Sequence, residues 1–73
     1  MIINSKQLGK LIREARKGRR WSQRRLAEEC GVTQPTIGNV ERADHSPKWD
    51  TARTIINTLG ITSAQLEGGK DGA

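Results

Sequence analysis

The sequence predicts an all-α fold, a compact domain of five short helices, and three observations carry that expectation. Apolar residues recur at three- and four-residue spacing in separate segments, the spacing that lines one face of a helix. Glycine or a small polar residue punctuates these segments where helices start and stop. Finally, 33% of the 73 residues are hydrophobic with no Phe or Tyr, which suits a small aliphatic core of Leu, Ile, Val and Ala.

The elements follow in order. Met1 to Asn4 is an apolar arm, and Ser5 is expected to cap a first helix carrying Leu8, Leu11, Ile12 and Ala15, ending near Lys17 or Gly18. Trp21 precedes Ser22, so Ser22 can cap a second helix while Trp21 packs on Leu26 as a hydrophobic staple. Leu26, Ala27 and Cys30 share one face, and Gly31 supplies the left-handed residue that ends the helix. Ala27 falls where this helix must cross the next, so it has to be small. Val32 is expected to be buried in the turn, and Ile37 and Val40 form the inner face of a third helix. Its start is contested: Thr33 is one candidate cap, but Pro35 disfavours helical angles at Gln34 and prefers the first helical position, which would make Gln34 the cap. A polar loop from Glu41 to Pro47 leads to a fourth helix with Trp49, Ala52, Ile55, Ile56 and Leu59 on its buried face, stopped by Gly60. Thr62 or Ser63 opens a short fifth helix reaching Leu66. Residues 1–67 are expected to form the domain, and residues 68–73, glycine and charge with nothing to bury, a disordered tail.

Thirteen basic residues against eight acidic ones give a formal charge of +5, which favours a polyanionic partner, although an acidic protein or a membrane surface would also satisfy it. Seven of the basic residues fall between Arg13 and Arg25, with Glu14 the only acid among them. No segment approaches the run of about eighteen apolar residues that a membrane span needs, and no signal-peptide core is present, so a cytoplasmic protein without membrane contact is expected. Catalysis and metal binding lack candidates. The one His, His45, is expected to be solvated in its loop, with an approach to a phosphate as the other reading. The one Cys, Cys30, reads as a small buried hydrophobe. Glu28 and Glu29 are adjacent on a helix and so point about 100° apart. The G-G-K near the end follows no strand and starts no helix, so it is no phosphate loop. No cofactor is called for.

The string W-S-Q-R-R-L-A-E-E-C-G-V-T-Q-P-T-I-G-N-V-E, with Pro47 and the later L-G-I, resembles the Cro and phage-repressor-like (XRE-type) helix-turn-helix regulators from about Leu8 to Leu66. The resemblance implies a five-helix lambda-repressor-like DNA-binding domain. In such folds the second helix of the motif enters the major groove with its N-terminal residues facing base edges. With Ile37 and Val40 turned inward, Gln34, Pro35, Gly38 and Asn39 are left on or near the outward face, with Thr33 beside them. Gln and Asn can donate and accept at once, matching the N6 and N7 edge of adenine. Gln34 also matches the family's base-reading glutamine. Pro35 can touch a thymine methyl. Gly38 either lets the backbone sit deep in the groove or avoids a clash with the second helix. Asn39 has a base, a phosphate and plain solvent open to it. Phosphate contacts are expected from Gln23, at a helix N-terminus, and from Arg24, Thr36, Arg42 and Lys48. The resemblance further implies that Arg16 pairs with Glu41. Arg20 and Ala43 depart from the family by standing where glycine is common: either these loops differ or the two residues accept strained angles, with Gly18 then available to end the first helix.

The expected function is that of a dimeric, sequence-specific repressor on a palindromic double-stranded operator on the nucleoid. Helix five, marked by Leu66, and the Met1 to Ile3 arm are the expected dimer surface. The short chain and its I-I-N-S-K-Q-L-G lead also resemble the HipB-type antitoxins, which would add a toxin protein as partner. Against this, Thr62 to Gly69 is polar where that type continues as a hydrophobic strand. Phage Cro-like and restriction-controller regulators are the alternative, and a protein-binding module using its basic face is the alternative of another class.

Overall fold

The computed structural model describes residues 4–44 and 47–66, and these form five helices: α1 (Ser5–Gly18), α2 (Gln23–Cys30), α3 (Gln34–Arg42), α4 (Trp49–Leu59) and α5 (Ser63–Leu66). Residues 1–3 of the expected arm, the expected tail 68–73, and His45 lie outside the described residues, while Asn4 belongs to the first helix's cap. α3 packs against α1 and α2, and α4 packs against the same two helices. The core draws from every long helix, with Leu8, Ile12, Leu26, Ile37 and Ile55 almost wholly enclosed. Ala27 is buried, as its smallness requires, while Cys30 and Val32 are only half-buried at the edge, not interior as expected.

The helix ends follow from local chemistry. Asn4, not Ser5, caps α1: its Oδ1 accepts from the Gln7 backbone N–H at 2.8 Å while Gln7 Oε1 accepts from the Asn4 N–H at 3.1 Å. This reciprocal pair satisfies two free donors at once, which a serine one residue later could not do from inside the first turn. Ser22 caps α2 by accepting from the Arg25 N–H at 2.9 Å, and Gly31 and Gly60 end α2 and α4 in left-handed conformation. Thr62 and Gln65 repeat the reciprocal cap at α5.

Trp49 corrects an expectation, since its side chain is exposed. It is the first residue of α4, and a helical side chain leans toward the N-terminus. The indole therefore projects past the end of the helix, beyond the stripe formed by Ala52, Ile55, Ile56 and Leu59.

Arg20 and Ala43 both adopt positive φ, +61° and +58°. The two residues thus accept strained left-handed angles, while Gly18 stays within α1. A β-carbon in this region costs roughly 1–2 kcal/mol. Ala43→Gly is therefore expected to stabilise the protein by about 1 kcal/mol, raising Tm by roughly 4–8 °C in a domain of this size. An unchanged melting curve by circular dichroism would show that the strain is relieved elsewhere.

Candidate nucleic-acid interface

The outward face of α3 is built from its first turn. Thr33 is the N-cap and Gln34 the first helical residue, so the expectation that Gln34 caps the helix is corrected. Pro35 takes the second helical position, within the first turn, where a backbone N–H has no intrahelical partner and proline's missing donor costs nothing. Gln34 is exposed, and its amide makes no hydrogen bond to the described residues. The Thr33 and Thr36 hydroxyls bond each other at 2.8 Å, which leaves Thr36 half-buried and already engaged.

Ile37 and Val40 are buried beneath this face. Gly38 is buried beside them, and what covers it corrects the expectation that its smallness avoids a clash with α2. The nearest atoms to a β-carbon built there belong to the Arg42 guanidinium, with Nη1 at 3.0 Å, and not to α2. Arg42 in turn donates from Nη2 to Asn39 Oδ1 at 2.8 Å and from Nε to Asp44 Oδ2 at 2.9 Å. Asn39 is thus braced to Arg42 and half-buried.

Beneath the C-terminal half of α3, Arg16 and Glu41 form a two-point ion pair, Nε to Oε2 at 2.7 Å and Nη2 to Oε1 at 3.1 Å. Both side chains are buried, at 11% and 4% exposure. The third nitrogen of Arg16 donates to the Trp21 carbonyl at 2.8 Å, and the Gln23 amide donates to Glu41 Oε1 at 3.2 Å. One carboxylate therefore ties α1, the start of α2 and the end of α3 together. Above it opens a polar hollow of about 240 Å³ lined by Arg13, Arg16, Gln23, Glu41 and Arg42. Arg13, counted in the sequence only as part of the basic cluster, was not among the expected DNA contacts, although its spacing of three from Arg16 puts both on one face of α1. It is exposed and donates to no acceptor among the described residues, so its charge is available to an anion in the hollow.

The remaining candidates lie further out. Arg24 is exposed and pairs with Glu28 one turn on, at 3.3 Å, and Arg25 pairs with Glu29 at 2.9 Å. Arg25 and Arg19 also stand over the Trp21 ring, 4.9 and 5.1 Å from its centre. Lys48 caps α4 by position only and is exposed. Burial pushes the Cys30 thiol above its ordinary pKa, with a Thr58 hydrogen bond opposing and Glu29 adding to the shift. It is therefore no activated thiolate. Among the described residues no group of three or more His, Cys, Asp or Glu is placed to hold a metal ion, and no helix is long and apolar enough to cross a membrane.

Two short helices joined by a left-handed glycine, the second exposing an amide-bearing face beside a cluster of arginines, define a helix-turn-helix DNA-binding domain. A family model described as a helix-turn-helix domain matches residues 7–67, and the chain belongs to that family, the XRE-type group of Cro and phage-repressor-like regulators. It is a DNA-binding transcriptional regulator and not an enzyme. Two relatives are similar to it. The ImmF control region 10 kDa protein of Bacillus phage phi105 is 28% identical over 81 aligned positions, covering 99% of this chain and 90% of that protein. An uncharacterized HTH-type transcriptional regulator of Methanothermobacter thermautotrophicus is 44% identical over 50 positions, covering 68% of this chain and 72% of its own.

Proposed function

We propose that the protein is a dimeric, sequence-specific repressor of the phage-control type that binds a palindromic operator, with Gln34 as its adenine-reading residue. The observation that carries this reading is the state of Gln34: it stands in the first turn of α3, exposed, with its amide committed to no cap and to no neighbour among the described residues. Both ends of an amide are needed to match the N6 and N7 edge of adenine. Gln23, Arg24, Thr36 and Lys48 are assigned to phosphates, with Arg13 joining Gln23 at the hollow, and Thr33 and Pro35 to the base-pair edges beside Gln34. A nine-residue helix spans only a few base pairs, so useful specificity calls for two copies on half-sites about 34 Å apart. Leu66 is half-buried against its own core, which leaves part of its surface for a partner. With DNA as its partner, the protein works in the cytoplasm on the nucleoid.

The phage-control reading is favoured over the antitoxin one by the phi105 relative, which aligns along nearly all of this chain and is named for a control region. A kinase-like toxin encoded in the adjacent reading frame would reverse that preference.

Selection from randomised duplexes tests the proposal. The wild-type protein is expected to enrich a two-fold symmetric motif, bound at least about a thousandfold more tightly than random sequence. Gln34→Ala is expected to lose roughly 1–3 kcal/mol of discrimination at one base pair in each half-site. Failure to enrich any motif sinks the operator reading, and an unsymmetric half-site alone sinks the dimer.

A further inference from the structure

We propose that Arg42 reads a guanine in the major groove, with Gly38 as the seat of its guanidinium and Asn39 as its positioning residue. The inference builds on the operator-reading function proposed above and gives Arg42 a role other than the phosphate contact expected from sequence.

The argument begins with helix geometry. At about 100° per residue, Arg42 lies roughly 20° around the helix from Pro35, at the centre of the face opposite Ile37 and Val40. By position it is at the C-terminal end of α3, the end that lifts away from a groove. Its side chain, however, runs back toward the N-terminus, as helical side chains do. The guanidinium comes to rest over Gly38, with Nη1 3.0 Å from where a β-carbon would stand. A cation is thereby delivered one turn nearer the bases, into the space that a residue-38 side chain would otherwise fill.

The hydrogen bonds set its plane. Nε is held by Asp44 at 2.9 Å and Nη2 by Asn39 at 2.8 Å. A guanidinium carries five N–H donors, so three remain, including both on Nη1. Two of these suffice for the O6 and N7 acceptors of guanine, the commonest specific arginine contact. The companions also argue against a phosphate: the Asp44 carboxylate offsets the cation and would itself repel a second anion. Fixing an arginine's orientation matters little for a point-charge contact and greatly for a two-point one.

The test is randomised-duplex selection with the wild type, Arg42→Lys, Gly38→Ala and Asn39→Ala. The wild-type motif is expected to contain a guanine whose preference falls about tenfold or more in Arg42→Lys, while the salt slope stays unchanged because the charge is kept. Gly38→Ala should weaken the same position without lowering Tm, since only the flexible end of Arg42 has to move. Asn39→Ala should weaken that position too. A motif that Arg42→Lys leaves unaltered overturns the inference while sparing the operator reading, and Arg42 is then a phosphate contact. If Asn39→Ala alters a different base pair, its bracing role is overturned. A wild-type protein that enriches no motif overturns both readings.

Discussion

Gly9→Ala is expected to destabilise the protein by about 2 kcal/mol or more, the upper range for adding a methyl group to a packed interior. A β-carbon at Gly9 would stand 2.5 Å from the Val40 carbonyl oxygen and 2.7 Å from that of Glu41. Both are backbone atoms of α3, so no side chain can swing aside, and α1 must move off α3 as a unit. The change would also disturb the site, because Val40 supports the outward face and Glu41 holds Gln23. Helix propensity works the other way by roughly 0.5–1 kcal/mol, alanine being favoured over glycine within a helix. Gly18→Ala isolates that term, since a β-carbon there meets nothing within 4 Å. Thermal melts should separate the two glycines of α1, with Gly9→Ala lowering Tm by roughly 10 °C or more and Gly18→Ala leaving it unchanged or slightly higher. Equal behaviour of the two would mean that α1 and α3 do not approach as closely as described.

Arg16→Met is expected to cost about 3–5 kcal/mol, the usual effect of leaving a buried charge without its partner. A core of this size rarely supplies more than about that much net stability, so the single variant should be largely unfolded at 25 °C. Among the described residues Glu41 would keep only the Gln23 amide, at 3.2 Å. Removing both charges together, as in Arg16→Met with Glu41→Leu, should recover much of the loss, because two apolar residues of similar volume can replace a buried pair. The recovered fold should still bind DNA less well, since Gln23 loses the carboxylate that orients it. Arg24→Met is the comparator: its pair with Glu28 is 78% and 62% exposed, and exposed pairs contribute little. Urea titration followed by circular dichroism reads all three. A cost for Arg16→Met no greater than that for Arg24→Met would remove the pair from any structural role.

Much of the fold was legible in the sequence because its signals are local. The stripes of Leu8 and Ile12, Leu26 and Ala27, Ile37 and Val40, and Ala52 through Leu59 name the inner face of each helix, and periodicity depends only on spacing. Gly31 and Gly60 mark two helix ends because a positive φ is a property of one residue. At α1 the reciprocal Asn4–Gln7 pair, not the neighbouring Ser5, supplies the cap. At Trp49 the residue type points to the core. Position at the end of a helix decided otherwise, and the side chain is exposed.

The candidate site divides along the same line. The chemistry of Gln34, its position ahead of Ile37, and the surplus of positive charge are properties of the chain and were readable from it. Whether Gln34 is free was settled by one residue of register, with Thr33 as the cap and Pro35 second in the helix. The seating of Arg42 over Gly38 is a matter of side-chain conformation, which spacing alone does not specify. Arg13 gained significance only when α1 came to face the start of α2 and the end of α3 across the polar hollow. The sequence by itself determined which helices form, which faces they bury and which kind of surface remains. Tertiary structure decided which glycine is a contact, which tryptophan is exposed and which arginine is held ready, because those depend on distances between segments that no local pattern encodes.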